Sequence, residues 1–362
     1  MKRRNFIKLV GGGIVLAASG ATLFSMTRTP SDALAPWGTA GIYDDPRSNA
    51  LSYAILAPNP HNRQPWIIRL DGEDGLTLFF DTEKQLEHTD PSDRQLTIGL
   101  GCFLELLRMA ANAEGYDVDI ILFPEGEDAI GLDRRPIANA VFKESKPVSD
   151  PLFVHTLNRR SNKMPFDTSR SVQPDALARI MKVARQTEVG GSINPKDIAY
   201  WRKLSTRAQL VETETPRTHK ESIDLMRIGK AEINANPDGI SLSGVLFESL
   251  AAAGILTRGA LFDRSSTGYK EGLKAVLENT QTAMGHLWMV TQGNSRHSQI
   301  AAGADWLRIN LACTAEGLSF QPLSQALQEY PEMVGLYDET HQRLAREGGK
   351  VQMLARIGYG QD

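Results

Sequence analysis

Ala57-Pro58-Asn59-Pro60-His61-Asn62-Arg63-Gln64-Pro65-Trp66 decides how this chain folds. Apolar residues precede it (51–56), and an extended apolar run (67, 68 and 70) follows it. Pro58 and Pro60 fix φ and remove backbone donors, so the segment is a rigid turn between two regular elements. Asn62 and Gln64 add two amide side chains, each both donor and acceptor. A stiff polar loop between apolar elements suits hydrogen bonding to a planar, heteroatom-rich ligand. It is equally the form of an ordinary connection that ends a helix and enters a strand.

Outward from that loop, the pattern predicts a helix over 48–56 before it and a hairpin after it. The hairpin strands cover 66–70 and 76–81, with the turn at Asp71-Gly72-Glu73-Asp74-Gly75. A strong helix is expected over 97–114, where Leu100, Phe103, Leu104, Leu107 and Ala111 recur at helical spacing. Strands are expected over 118–123 and 137–142. A second unit begins near Pro151, with helices over 173–185 and 299–317, an extended exit at 318–322 and a terminal strand over 351–358. Between them, 203–290 reads as mostly helical, a candidate insertion. The two strong helices repeat: residues 101–116 align with 303–318 without a gap, matching Gly101 to Gly303 and Ala113-Glu114-Gly115 to Ala315-Glu316-Gly317. A duplicated fold whose halves pack as an internal pseudo-dimer accounts for this.

Composition narrows the function classes. With 362 residues, 41 % hydrophobic and 23 % charged, the chain has room for two domains of ordinary globular composition. A net charge of -3, with no Lys/Arg block beyond the N-terminus, gives no support to a nucleic-acid partner. Cys102 and Cys313 are the only cysteines, too few for a disulfide framework or zinc site, and both read as small core residues. No histidine pair has metal spacing, so no metal site is expected. Lys2, Arg3 and Arg4 precede Asn5-Phe6-Ile7-Lys8 and an uncharged run over 9–26, the form of an export signal that resembles the twin-arginine class. Residues 1–28 are therefore set aside as a signal or anchor and 29–47 as a linker. The expected location is periplasmic, or tethered at the outer face of the inner membrane, with the twin-arginine export machinery as a partner.

No nucleotide-binding glycine loop, P-loop, zinc-protease helix or nucleophile elbow is present. What remains is Arg159-Arg160-Ser161-Asn162-Lys163, which sets two guanidiniums, a hydroxyl and an ammonium within five residues. This grouping suits a phosphate monoester, and a solvated basic turn is its plainer reading.

Together, Pro58-Asn59-Pro60-His61-Asn62-x-Gln64-Pro65-Trp66 and Arg159-Arg160-Ser161-Asn162-Lys163, with Phe166 beyond, resemble the signatures of the FMN-dependent nitroreductase family. A third match is Gly317-Leu318 followed by Pro322-Leu323-Ser324. The resemblance implies an α+β nitroreductase-like fold in two fused halves, 48–150 and 151–362, the second carrying the 203–290 insertion. It implies FMN as cofactor. Arg159, Arg160 and Ser161 would hold its phosphate and ribityl chain, and Lys163 would lie near the N1/O2 edge. Pro58, Asn59, Pro60, Asn62 and Gln64 would reach the same flavin from the other half, and Leu323-Ser324 would present the Ser324 N–H to N5. The order of the motifs departs from the family, since the Asn-x-Gln-Pro-Trp loop comes first. One intact and one degenerate site are therefore expected, and Asn62 and Gln64 should approach 159–163. The activity implied is electron transfer from a reduced donor such as NAD(P)H to a planar acceptor of quinone or nitroaromatic type. No side chain is required as acid or base. The alternative is a flavin-sequestering protein without turnover.

Overall fold

The computed structural model describes residues 28–128, 130–346 and 348–360. The export-signal reading thus lies, except for Arg28, outside the described residues. The chain divides into two compact units, one of Pro36–Glu221 with Glu271–Asp362, the other built chiefly of Ser222–Lys270. Helix α1 (Ser31–Thr39) opens the described chain where a linker was expected. The Pro/Gly/Ser content that suggested a linker sits mostly at its ends, and Pro36 lies inside the helix.

The larger unit holds two sheets of the same topology. In the first lobe, α2 (Pro46–Ala54) leads through the 57–65 loop into β1 (Trp66–Asp71). β2 (Gly75–Phe80), α3 (Arg94–Ala113), β3 (Tyr116–Leu122) and β4 (Pro136–Glu144) follow. The sheet order is β1-β2-β4-β3, all pairs antiparallel. The hairpin closes tightly, with Trp66 opposite Phe80 and Asp71 opposite Gly75, and Gly72 supplies the positive φ of its turn (56°).

In the second lobe, α4 (Pro174–Met181) precedes β5 (Glu188–Ser192). After a long excursion that includes α5 (Pro195–Glu214) come β6 (Gly285–Gln292), α6 (Arg296–Ala315), β7 (Ser319–Pro322) and β8 (Gly349–Gly358). The order is β5-β6-β8-β7, again antiparallel throughout. Both lobes therefore run strand, strand, helix, strand, strand, with the last strand inserted beside the second. The α+β class and the two halves expected from the repeat are present.

The expected helical stretch over 203–290 needs correction. The insertion begins after β5 and takes the place of the β1–β2 hairpin turn, and its end is not helical, because Gly285–Gln292 is the strand beside β8. Seven of that strand's eight residues are at least partly screened from solvent, and a continuous apolar run carries no period to separate strand from helix. β5 was missed for another reason. Its Glu188-Val189-Gly190-Gly191-Ser192 looks like a loop, yet a Cβ on Gly190 would strike the Trp288 indole, so glycine lets the strand pass under that ring.

α3 and α6 cross at the centre. The offset that aligns Gly101 with Gly303 also aligns their first residues, Arg94 with Arg296, and their last, Ala113 with Ala315. At the crossing, a Cβ on Gly101 would run into the Ile300 carbonyl, and one on Gly303 into the Ile98 carbonyl. The backbones approach so closely that only glycine fits on either side.

The arginines that open these helices reach reciprocally into the opposite lobe. Arg94 donates from Nη1 to the Gln352 carbonyl and from Nη2 to the Leu327 carbonyl, both at 2.7 Å. Arg296 donates from Nη1 to the Ser92 carbonyl at 2.8 Å and from Nε to the Asp128 carbonyl at 3.1 Å. Such exchange of equivalent contacts is the mark of a two-fold interface, here folded into one chain. Arg308 adds a buried tie, with Nη1 at 3.0 Å from Glu105 and 2.8 Å from Asp150. By length and composition α3 is apolar enough to cross a membrane, but most of it is buried inside the protein.

The smaller unit contains a short parallel pair, Met226–Ile228 with Ile240–Leu242, and three short helices. Its buried centre is Ile223, Leu256 and Leu261.

Candidate functional site

The 57–66 loop is held in a backbone form that its residues resist. His61, Asn62 and Gln64 all have positive φ (49°, 52° and 49°). Asparagine tolerates this region, whereas histidine and glutamine adopt it at a cost on the order of 1 kcal/mol each. The cost is offset by anchors. The Asn59 carboxamide donates to the Ala57 carbonyl at 3.1 Å and accepts from the Gln64 N–H at 2.8 Å, spanning the loop. Arg63 is buried, donating to the Lys84 and Glu83 carbonyls at 3.1 and 3.0 Å. Trp66 packs on Phe103, with ring centroids 4.9 Å apart. Pro60 and Asn59 lie over Gly99 of α3, close enough that an added Cβ would press on them at 3.0–3.2 Å. Asn59 and Pro60 therefore brace the loop, while the Asn62 and Gln64 side chains lie beside one another at 3.5 Å.

The 159–163 run meets the first lobe. Arg159 is 5 % exposed and donates from Nη2 to the Leu56 carbonyl at 2.9 Å, where α2 passes into the loop. Its Nε is buried without a partner. Among the described residues no carboxylate pairs with it, and burial pushes its guanidinium down to about 10, with Arg160 adding repulsion. Arg160 is exposed and donates from Nη1 to the Leu157 and Arg159 carbonyls at 2.9 and 2.7 Å. Ser161 is exposed beside it. Two adjacent guanidiniums, one buried and neither neutralised, form a receptive site for an anion.

The rest of the run is pinned to the second sheet. The Asn162 N–H donates to the Phe320 carbonyl at 2.9 Å and its carboxamide to Ser319 Oγ at 3.0 Å. The Asn279 carboxamide donates to the Lys163 carbonyl at 2.8 Å. Arg356 of β8, fully buried, donates to the Met164 carbonyl at 2.7 Å and to Thr282 Oγ1 at 2.7 Å, while its guanidinium lies over the Phe166 ring at 3.8 Å. Arg356 thus fixes the backbone just past Lys163. It is the basic residue of the last strand, and it supports the run from behind.

Lys163 is exposed. Desolvation holds its ammonium below the ordinary lysine value, and the carboxylate of Glu212 opposes that shift. His61 is half-buried in the same electrostatic environment. Burial, then the charges of Lys163 and Arg63, push its imidazole down to about 4, so it is neutral at pH 7. Glu212 of α5 is buried and accepts from Gln328 Nε2 at 2.6 Å. Burial raises its carboxyl to about 7. Leu323 is buried, its N–H donating to the Leu354 carbonyl at 2.8 Å, and the Ser324 hydroxyl donates to the same carbonyl at 3.3 Å. The Ser324 N–H has no acceptor among the described residues.

The Arg159–Leu56 hydrogen bond brings the start of the loop to the run, the charge of Lys163 acts on His61, and Leu323-Ser324 lies at the exit of β7. The direct contacts of Asn62 and Gln64 given above lie within their own loop. Sequence reasoning missed Glu212, Arg356 and His61. Of these, His61 had a signal, since it stands inside the opening motif.

No family model matches the chain. Over 122 residues it is 33 % identical to a Mycobacterium tuberculosis (strain ATCC 25618 / H37Rv) protein provisionally named NAD(P)H nitroreductase acg. That match covers 33 % of this chain and 35 % of the relative, so it spans about a third of that protein's length. It is 24 % identical over 311 residues to a protein of the same strain provisionally named NAD(P)H nitroreductase Rv3131, covering 85 % of this chain and 83 % of the relative. Among solved structures, a Bacteroides fragilis nitroreductase with bound FMN matches with a TM-score of 0.34 and 11 % identity, over 59 % of this chain and 90 % of that one. The names of the two M. tuberculosis sequence relatives support the nitroreductase resemblance.

Proposed function

We infer that this chain is an FMN-binding oxidoreductase of the nitroreductase family, with its flavin site formed where the first-lobe loop meets the second-lobe basic run. The observation that carries the reading is the buried Arg159, with an orphaned Nε, beside Arg160 and without a carboxylate for either. A dianionic phosphate satisfies both guanidiniums and offsets their mutual repulsion. The residues present fit the rest of the cofactor as well. Lys163 is exposed four residues beyond Arg159, the Ser324 N–H is open, and the strained polar loop starts where Leu56 meets Arg159.

When bound, FMN supplies hydride and electron chemistry that no side chain in the site offers. The protein's part is to bind, orient and balance charge. Arg159, Arg160 and Ser161 hold the phosphate end. Lys163 places a positive charge where negative charge collects on a reduced ring. The Ser324 N–H and the 59–64 loop fix the edge of the ring system, and neutral His61 adds no competing charge. The donor is taken to be NAD(P)H or another small reductant and the acceptor a planar quinone or nitroaromatic. The site is expected once per chain. The basic, then apolar, N-terminus supports export through the twin-arginine route, which carries folded, cofactor-loaded proteins.

A visible absorption spectrum of purified protein tests the cofactor, with flavin bands expected. Arg159→Ala combined with Arg160→Ala is expected to abolish flavin retention, and unchanged retention refutes the assignment. Bleaching of the bound flavin by NAD(P)H in stopped flow tests turnover. Flavin bound without bleaching at any donor concentration replaces the enzyme reading with the flavin-sequestering one.

A further inference from the structure

Trp37 lies in α1, outside every motif used so far, and its ring covers the two arginines. The Arg160 Cζ stands 3.5 Å from the ring centroid, and the Arg159 Cζ stands 5.8 Å from it. Trp37 is half-buried, and the chain after it is fastened onto α2. The Gly41 N–H donates to Ser52 Oγ at 2.9 Å, and the Tyr43 N–H donates to Asn49 Oδ1 at 3.3 Å. Gly41 takes a φ of 85°, so the path there depends on glycine. The indole is therefore placed by the fold.

A guanidinium carries all its N–H groups in its own plane, so a ring lying on its face consumes none of them. Arg160 spends Nη1 on two carbonyls, while its Nε and Nη2 have no acceptor among the described residues. Arg159 likewise keeps a buried, unpartnered Nε. Both guanidiniums thus present unused donors beside a common aromatic face.

We propose that Trp37 is a positioning residue of the phosphate subsite, stacking on Arg160 to hold its donor fork in place and keep water from that face of its guanidinium. The proposal rests on the FMN reading and adds a residue to it. An exposed arginine otherwise samples many rotamers, and the stacked ring removes that freedom before the anion arrives.

The test compares FMN with riboflavin, which lacks the phosphate, by titrating flavin fluorescence against wild type, Trp37→Ala, Trp37→Leu and Trp37→Phe. Trp37→Ala and Trp37→Leu should weaken FMN binding about tenfold and leave riboflavin binding unchanged, while Trp37→Phe recovers most of the loss. If the alanine variant does not fold, the leucine and phenylalanine variants carry the same comparison. Unchanged FMN affinity in Trp37→Leu overturns the proposal. So does an equal loss for both flavins, which marks a structural role, and so does tighter FMN binding, which marks Trp37 as a placeholder. A wild type that binds neither flavin removes the FMN reading itself, and this proposal with it.

Discussion

At the scale of single residues, the site is governed by charges that the fold leaves uncompensated. Glu212 is the acidic example. Its carboxyl is raised to about 7 from an ordinary 4.5, chiefly by burial, with Glu221 adding repulsion while Gln328, Gln209 and Lys163 oppose the shift. Between those two values the folded state binds more protons than the unfolded state, so stability falls as pH rises through this window and levels off above it. The difference corresponds to about 3 kcal/mol. Urea unfolding at pH 5 and pH 8 should show wild type losing roughly that much relative to Glu212→Gln, whose amide does not titrate. Parallel pH profiles for the two proteins refute the assignment. Nothing in the sequence singles out Glu212, because the buried surroundings that raise it come from α5 packing against the 325–330 segment.

At the scale of elements, the crossing of α3 and α6 is the joint on which both lobes depend. The helical periodicity and the gap-free repeat were legible in the sequence, and so was the pairing of Gly101 with Gly303. The reason for the glycines was not, since it lies in the carbonyls of Ile98 and Ile300 on the facing helix. Gly303→Ala should destabilise the protein by about 3 kcal/mol, read as a lower urea midpoint, because the backbone it meets cannot move aside. Gly335→Ala, exposed in the helix Val334–Leu344 where a Cβ meets nothing within 4 Å, serves as the control and should be no less stable than wild type, since alanine favours a helix over glycine. The elements that sequence reasoning missed failed for stated reasons. β6 is a continuous apolar run without a period, β5 is glycine-rich because Trp288 lies over it, and α1 is bounded by turn formers.

At the scale of the whole chain, two lobes of one topology share a core, and the second carries an excursion where the first has a three-residue turn, Gly72-Glu73-Asp74. Among the described residues, the compact unit of Ser222–Lys270 has a small buried apolar cluster of Ile223, Leu256 and Leu261, with Ile233 and Tyr269 also buried. So few buried contacts predict a low free energy of local opening. In native-state hydrogen exchange, the amides of 226–228 and 240–242 should exchange well before those of α3 and α6. Protection equal to that of the two central helices would show that this unit opens only with the rest.

The sequence by itself determined the duplicated α+β architecture, the hairpin after the opening loop, the two central helices and the basic run. Each of these is written in local terms: a period, a turn, a repeated word, a cluster of charges. The tertiary structure decided what those pieces are to one another. It set Leu56 against Arg159 and His61 within reach of the charge on Lys163, placed Arg356 behind the run, and laid Trp37 on Arg160. Such relations join residues distant along the chain, and they arise only when the two lobes bury their helices against each other. The loop of residues 57–66 is a turn in the sequence, and it becomes one wall of the proposed site because the fold sets Leu56, at its start, against Arg159.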